Sequence, residues 1–149
     1  MEYRTAKRTD LNEIMKLYKQ LNPDDKEIEY KKALSIWDIS ESSNIMKYFV
    51  ALDSLTIVAC CNIAIIPNLT RNGRPYAIIE NVITDSSYRR KGIGKKIIEN
   101  AIQYAKINNC YKICLMSNKK RKEAHIFYED IGFNGNSKMA FEIRIEELT

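Results

Sequence analysis

Apolar residues along this chain follow two rhythms, and the places where one gives way to the other mark out its elements. Residues 2–6 read as a short strand. Leu11, Ile14, Met15, Tyr18 and Leu21 then recur every three or four positions, the spacing of one helical face, with Asp10 and Glu13 as a capping pair ahead of them. Ile28, Leu34, Ile36 and Trp37 are less regular and predict a second helix over about 26–39. From 47–53 and 56–66 the rhythm shortens to β-branched and aromatic runs around Asp53-Ser54, the pattern of a hairpin. Asn72-Gly73 marks another tight reversal before a long strand over 76–84. Ile93, Ile97, Ile98, Ala101, Ile102 and Ala105 restore the helical spacing. "YKICLM" reads as a strand of the buried kind, 123–131 as a helix stopped by Gly132, and 139–145 as a final alternating strand.

The predicted order is β, α, α, three strands able to pair antiparallel, α, β, α, β. It implies an α/β fold with a mixed sheet, helices on both faces and a strand-helix-strand crossover around 76–116. A length of 149 residues, 45% hydrophobic and 29% charged, without repeats or linker-like tracts, predicts a single domain over 1–149. No run of about 18 apolar residues occurs, and "MEYRTAKRTD" lacks the apolar core of a secretory signal, so a soluble, cytoplasmic protein with no membrane partner is expected.

Composition narrows the chemistry. Cys60, Cys61, Cys110 and Cys114, with His125 as the single histidine, have poor metal-ligand spacing; reduced, mostly buried thiols and no metal are expected. The net charge of +5 permits an anionic partner. The basic residues gather at two helix entrances, Arg89, Arg90, Lys91, Lys95 and Lys96, then Lys119, Lys120, Arg121 and Lys122. They lack the helix-turn-helix order or aromatic-rich strand motif of a base reader, so nucleic acid is not the expected partner.

The stretch "RRKGIG" sets glycines directly after three cations, where a strand gives way to a helix. Free backbone N–H groups and the positive end of the helix meet there, and glycine lets that backbone approach a diphosphate without an intervening Cβ. A solvated basic loop that only caps a helix is the alternative. A nucleoside-triphosphate loop would need G-x-x-x-x-G-K-[ST], and a dinucleotide fingerprint would need glycine in place of Ile97; "GIGKKI" supplies neither.

The segment "IENVITDSSYRRKGIGKKIIENA" resembles the R/Q-x-x-G-x-G/A signature of the GNAT superfamily of acetyl-CoA-dependent N-acetyltransferases, with Arg89, Gly92 and Gly94 on the signature positions. "AHIFYEDIGF" is similar to the family's second hallmark, and "YRTAKRTDLNEIMKLY" to its first strand and helix, so the resemblance spans nearly the whole chain. It implies a GNAT-like fold, with a mostly antiparallel central sheet and one splayed parallel strand pair. In such a fold the backbone of Val82, Ile83 and Thr84 pairs with the pantetheine arm of acetyl-CoA, and the loop of Arg89, Arg90, Lys91, Gly92, Ile93, Gly94 and Lys95 holds the pyrophosphate. Where many members carry an asparagine this chain has Arg121, and Asn118 is the candidate replacement.

Acetylating an amine of lysine type at pH 7 first requires removing a proton, at a cost of roughly 4–5 kcal/mol. Glu80 is a carboxylate inside the apolar run "AIIENVIT", a costly position unless the group is paired, wet or used. Related enzymes often place an acid on this strand, which makes Glu80 the candidate general base. Tyr128 matches the family tyrosine that commonly protonates the departing thiolate; core packing is its other reading. His125 reads as a surface or capping residue. The cysteines have no neighbouring cation in sequence to activate them, so direct attack in a ternary complex is expected. The resemblance implies a small-molecule amine as acceptor, with a protein or peptide amine, or acyl-CoA binding without turnover, as alternatives. Family members are often homodimers.

Overall fold

The computed structural model describes residues 1–148. The described chain contains β1 (Glu2–Thr5), α1 (Leu11–Leu21), α2 (Tyr30–Ser43), β2 (Met46–Asp53), β3 (Thr56–Ile66), β4 (Tyr76–Thr84), α3 (Ile93–Ile107), β5 (Ile113–Leu115) and α4 (Lys122–Ile131). They fall into two units, Met1–Leu115 and Met116–Thr149. The first unit holds one sheet in the order β1-β2-β3-β4-β5, antiparallel from β1 to β4 and parallel between β4 and β5.

Side-chain alternation along β2 and β3 supplies both faces of this sheet. Val50, Leu52 and Cys60 pack with Leu11, Ile14 and Leu17 of α1 and Ala33 and Trp37 of α2. On the other face, Phe49 meets Tyr104 of α3 edge-on at 5.8 Å, and Cys61 is its ladder partner. The fully buried Ile14, Ile63, Ile79, Ile97 and Ile98 each contribute about 1.5–3 kcal/mol of apolar burial, enough to fix the positions of β4 and α3. Helices thus cover both faces of a mixed sheet, as the element order implied.

Local chemistry explains where elements stop. Asn44 closes α2 in the left-handed region (φ 52°), and Gly132 closes α4 the same way (φ 111°). The expected capping pair is replaced by another arrangement. The Asp10 carboxylate does not cap α1; it accepts the Lys7 N–H at 2.6 Å and a two-pronged contact from Arg4 at 2.6 and 3.0 Å. That guanidinium, with the Lys7 N–H helping, holds the Asp10 pKa below the ordinary carboxylate value despite its burial. The strand expected as a buried one is only three residues long and half-buried, because β4 is its sole sheet neighbour among the described residues. The expected strand over 139–145 does not form, since among the described residues no segment pairs with it.

In the second unit α4 presents Phe127, Tyr128 and Ile131 as half-buried residues, with Tyr128 edge-on to Phe133 at 6.1 Å. Among the described residues no helix is long and apolar enough to cross a membrane.

Candidate active site

Strand β4, which carries the candidate base, changes its pairing half-way along. Ala77, Ile78 and Ile79 pair with Ile113, Cys114 and Leu115, and there the parallel ladder ends. On the β3 side, Cys60 faces Ile83 and Asn62 faces Glu80, so two residues, Asn81 and Val82, stand against Cys61 alone. Asn81 absorbs the extra residue in the left-handed region (φ 53°), a conformation asparagine tolerates. A bulge of this kind increases local twist and turns the rest of β4, including Val82, Ile83 and Thr84, away from its former course.

Beyond Thr84 the chain makes a short turn anchored on two sides. Asp85 accepts the Ser87 N–H at 2.9 Å and the Gln20 amide at 2.8 Å, and the Tyr88 hydroxyl donates to Asp53 at 2.8 Å. Arg90 (φ 58°) and Gly92 (φ 77°) then take left-handed conformations that swing the backbone into α3. The Lys96 N–H reaches back to the Gly92 carbonyl at 3.1 Å, and no side chain caps the helix. The N–H groups of Ile93, Gly94 and Lys95 therefore have no acceptor within the helix, and they point along the positive end of its dipole. A Cβ built on Gly92 would meet no atom within 4 Å, so open space adjoins this backbone. An anion bearing several oxygens fits such a place.

The cations of the loop are partly engaged. Arg89 Nε donates to the Thr84 carbonyl at 3.2 Å, joining two residues both expected to touch the cofactor. Lys91 donates to the Ser87 carbonyl at 3.0 Å and lies 4.9 Å from the Tyr88 ring centre.

Glu80 as a whole is exposed, but enough protein surrounds its carboxyl group for desolvation to push its pKa above the ordinary value. Opposite it, Asn62 is 4% exposed; its Nδ2 donates to the Met46 sulfur at 3.2 Å, while its buried Oδ1 has no partner among the described residues. Sequence reasoning passed over Asn62, although "VACCNIAII" carries the same signal as Glu80, one polar residue in an apolar strand. Burial drives the thiols away from nucleophilic use: Cys60 is pushed up to about 12 and Cys61 is raised as well.

Arg74 donates to the Asn109 and Cys110 carbonyls at 3.2 and 3.1 Å. In the second unit, Asn118 shapes the turn before α4. Its Oδ1 accepts the Lys120 N–H at 2.9 Å, and its carbonyl accepts from His125 Nε2 at 2.9 Å, so that histidine serves as a donor to a turn.

The model of the Acetyltransferase (GNAT) family matches residues 11–133. The chain belongs to the GNAT acetyltransferase family. It is accordingly an enzyme, an N-acetyltransferase, in a family that uses acetyl-CoA as donor. The glucosamine 6-phosphate N-acetyltransferase of Trypanosoma brucei brucei is 30% identical to this GNAT chain over 139 residues, covering 93% of it and 92% of the relative. Among solved structures, a candidate acetyltransferase from Agrobacterium tumefaciens superposes with a TM-score of 0.91 at 38% identity, covering 97% of this chain and 99% of that one. An acetyltransferase from Trypanosoma brucei superposes with a TM-score of 0.79 at 29% identity, over 95% and 99% of the two chains. In the GNAT chain described here, the β4 bulge and the open start of α3 fall inside the matched residues.

Proposed function

We propose that this enzyme transfers the acetyl group of acetyl-CoA to the primary amine of a small molecule, by direct attack while both substrates are bound. The observation that carries the reading is the placement of three things on one short stretch of chain. They are a strand edge released from its parallel neighbour after Ile79, a carboxylate at Glu80, and uncapped helical amides at Ile93, Gly94 and Lys95.

The donor supplies an activated thioester. In this reading the backbone of Val82, Ile83 and Thr84 lies along the pantetheine arm, and the loop of Arg89, Arg90, Lys91, Gly92, Ile93, Gly94 and Lys95 encloses the diphosphate. Arg89 exchanges its bond to the Thr84 carbonyl for a phosphate oxygen, leaving that carbonyl to the pantetheine. Asn118 joins the cofactor contacts on the strength of its motif position.

Glu80 takes the proton of the acceptor ammonium, directly or through one water, and its raised pKa brings it nearer to the operating pH of a general base. Asn62 Oδ1 accepts a hydrogen bond from the amine and turns its lone pair toward the acyl carbon; an unpaired buried acceptor gains most from such a donor. Tyr128 delivers the proton that the departing sulfur requires, an assignment that rests on its place in "AHIFYEDIGF". The high pKa of Cys60 and Cys61 supports direct transfer over a thiol-bound acyl intermediate.

The relative from Trypanosoma brucei brucei makes amino-sugar phosphates the first acceptors to try. Thiol release from acetyl-CoA is measured across amines with glucosamine 6-phosphate at their head, for the wild type and Tyr128→Phe. Sequential kinetics with at least one small amine are expected, with a lower kcat for Tyr128→Phe. A parallel-line double-displacement pattern, or release unaffected by every small amine, contradicts the proposal.

A further inference from the structure

Asp85 places a carboxylate four residues before Arg89, at the entrance to the loop assigned to the diphosphate. A fixed negative charge there opposes an anionic ligand, and it offers Arg89 a rival acceptor, since arginine and carboxylate form one of the stronger hydrogen-bonded pairs. Yet Arg89 Nε donates to the Thr84 carbonyl, and the Asp85 carboxylate is taken by amides. Oδ1 accepts the Ser87 N–H at 2.9 Å and Oδ2 accepts from Gln20 Nε2 at 2.8 Å. The Gln20 amide foremost, then the Ser87 N–H and more weakly the charge of Arg89, hold the Asp85 carboxyl below its ordinary pKa. The negative charge is therefore kept at neutral pH, and what it binds matters.

Gln20 uses both ends of its amide. While Nε2 donates to Asp85, Oε1 accepts the Ser86 N–H at 3.4 Å, so one side chain grips two successive residues of the turn. It does so from 65 residues away along the chain and from a firm base. Gln20 lies in the last turn of α1, whose Leu11, Ile14 and Leu17 are buried in the core with Cys60 and Ile83. Other bonds of this segment, from the Tyr88 N–H to the Asp85 carbonyl at 2.9 Å and from Lys91 to the Ser87 carbonyl at 3.0 Å, run within the loop. They shape the loop without fastening it to the body of the fold.

We propose that Gln20 is a positioning residue for the donor: by occupying the Asp85 carboxylate and tying Ser86 to α1, it keeps Arg89 available to the diphosphate and the loop ready to receive it. The inference rests on the donor site proposed above. Without Gln20 the vacated Asp85 Oδ2 takes the Arg89 guanidinium, and an arriving phosphate must displace a carboxylate rather than a neutral carbonyl. The effect falls on donor binding and not on acyl transfer, because neither Gln20 nor Asp85 shares the rung of Asn62 and Glu80.

Calorimetric titration of the full chain with coenzyme A tests this role, with thermal melts to show that each variant is folded. Gln20→Ala should raise Kd about three- to tenfold, the worth of one exposed hydrogen bond to a charged group. Adding Asp85→Asn, which keeps an acceptor for the Ser87 N–H but no longer competes for Arg89, should recover most of that loss. Gln20→Glu sets two carboxylates together and should weaken binding at least as much; Gln20→Glu with Asp85→Asn exchanges donor and acceptor and should restore wild-type affinity. In turnover, KM for acetyl-CoA should follow Kd while kcat stays within about twofold. A wild type that binds no coenzyme A overturns the donor site and this inference with it. Wild-type binding that Gln20→Ala leaves unchanged, a loss that Asp85→Asn does not reduce in either background, or a fall confined to kcat overturns the role of Gln20 alone.

Discussion

Asn62 and Glu80 stand opposite each other in the antiparallel β3–β4 ladder, so their side chains leave the sheet on one face, the face on which Cys60 packs with α1 and α2. Directly opposed residues of this kind hold their Cβ atoms about 4.5–5.5 Å apart, close enough for one small polar group to touch both. One residue further on, the bulge at Asn81 begins. The candidate base therefore sits at the last regular rung before the strand changes course.

Glu80→Gln should lower kcat/KM at neutral pH by about 100- to 10,000-fold, the usual share of a general base, and the loss should shrink in alkaline buffer, where the amine deprotonates unaided. In the wild type the base must be ionised. Because desolvation raises its pKa, the acidic limb of the pH–rate profile should lie above 4.5 and be absent from the variant. Steady-state rates across pH check both statements.

Asn62→Leu separates stability from function. The unpaired Oδ1 is a buried polar atom, and replacing it with apolar volume removes a cost of about 1–3 kcal/mol. The melting temperature should rise or hold while kcat/KM falls roughly tenfold, the worth of one hydrogen bond to the amine. Thermal melts and kinetics on one preparation read the two effects apart.

Much of this arrangement is legible in the sequence, for reasons that differ by element. Tyr76–Thr84 and the start of α3 were readable because a run rich in β-branched residues and a three-four repeat meet at a polar turn. Glu80 was readable as a lone charge in an apolar strand. Asn62 escaped because a neutral amide stands out less among "VACC" and "IAII" than a carboxylate does. The bulge at Asn81 was not readable at all, since it arises from a mismatch between two strands. For 139–145 the alternation predicts a strand, but a strand forms only beside a ladder partner, and the segment has none among the described residues.

Gly92→Ala should destabilise the protein by about 1–2 kcal/mol, because the left-handed φ of 77° disfavours a Cβ even though no atom obstructs it. That Cβ would enter the open space beside the helical amides. Affinity for coenzyme A should therefore fall by more than the modest change in thermal stability suggests. Calorimetric titration at a temperature where both proteins are folded provides the comparison.

Asp10 and Arg4 predict the response to acid. The Asp10 pKa is depressed in the folded state, so its stabilisation is present above about 3.8 and is lost as pH falls through the lower folded value. Asp10→Asn should cost about 2 kcal/mol at pH 7, less than a fully buried pair because both side chains keep some solvent contact. Urea unfolding midpoints should fall at pH 7, and the gap from the wild type should narrow toward pH 2.

In the proposed complex the amides at the start of α3 receive the diphosphate of the donor. Backbone amide resonances followed by nuclear magnetic resonance during a titration with coenzyme A test it most directly. Large shifts are expected at Ile93, Gly94 and Lys95, reproduced in part by inorganic pyrophosphate. Binding that leaves those three resonances in place while others move would contradict the account.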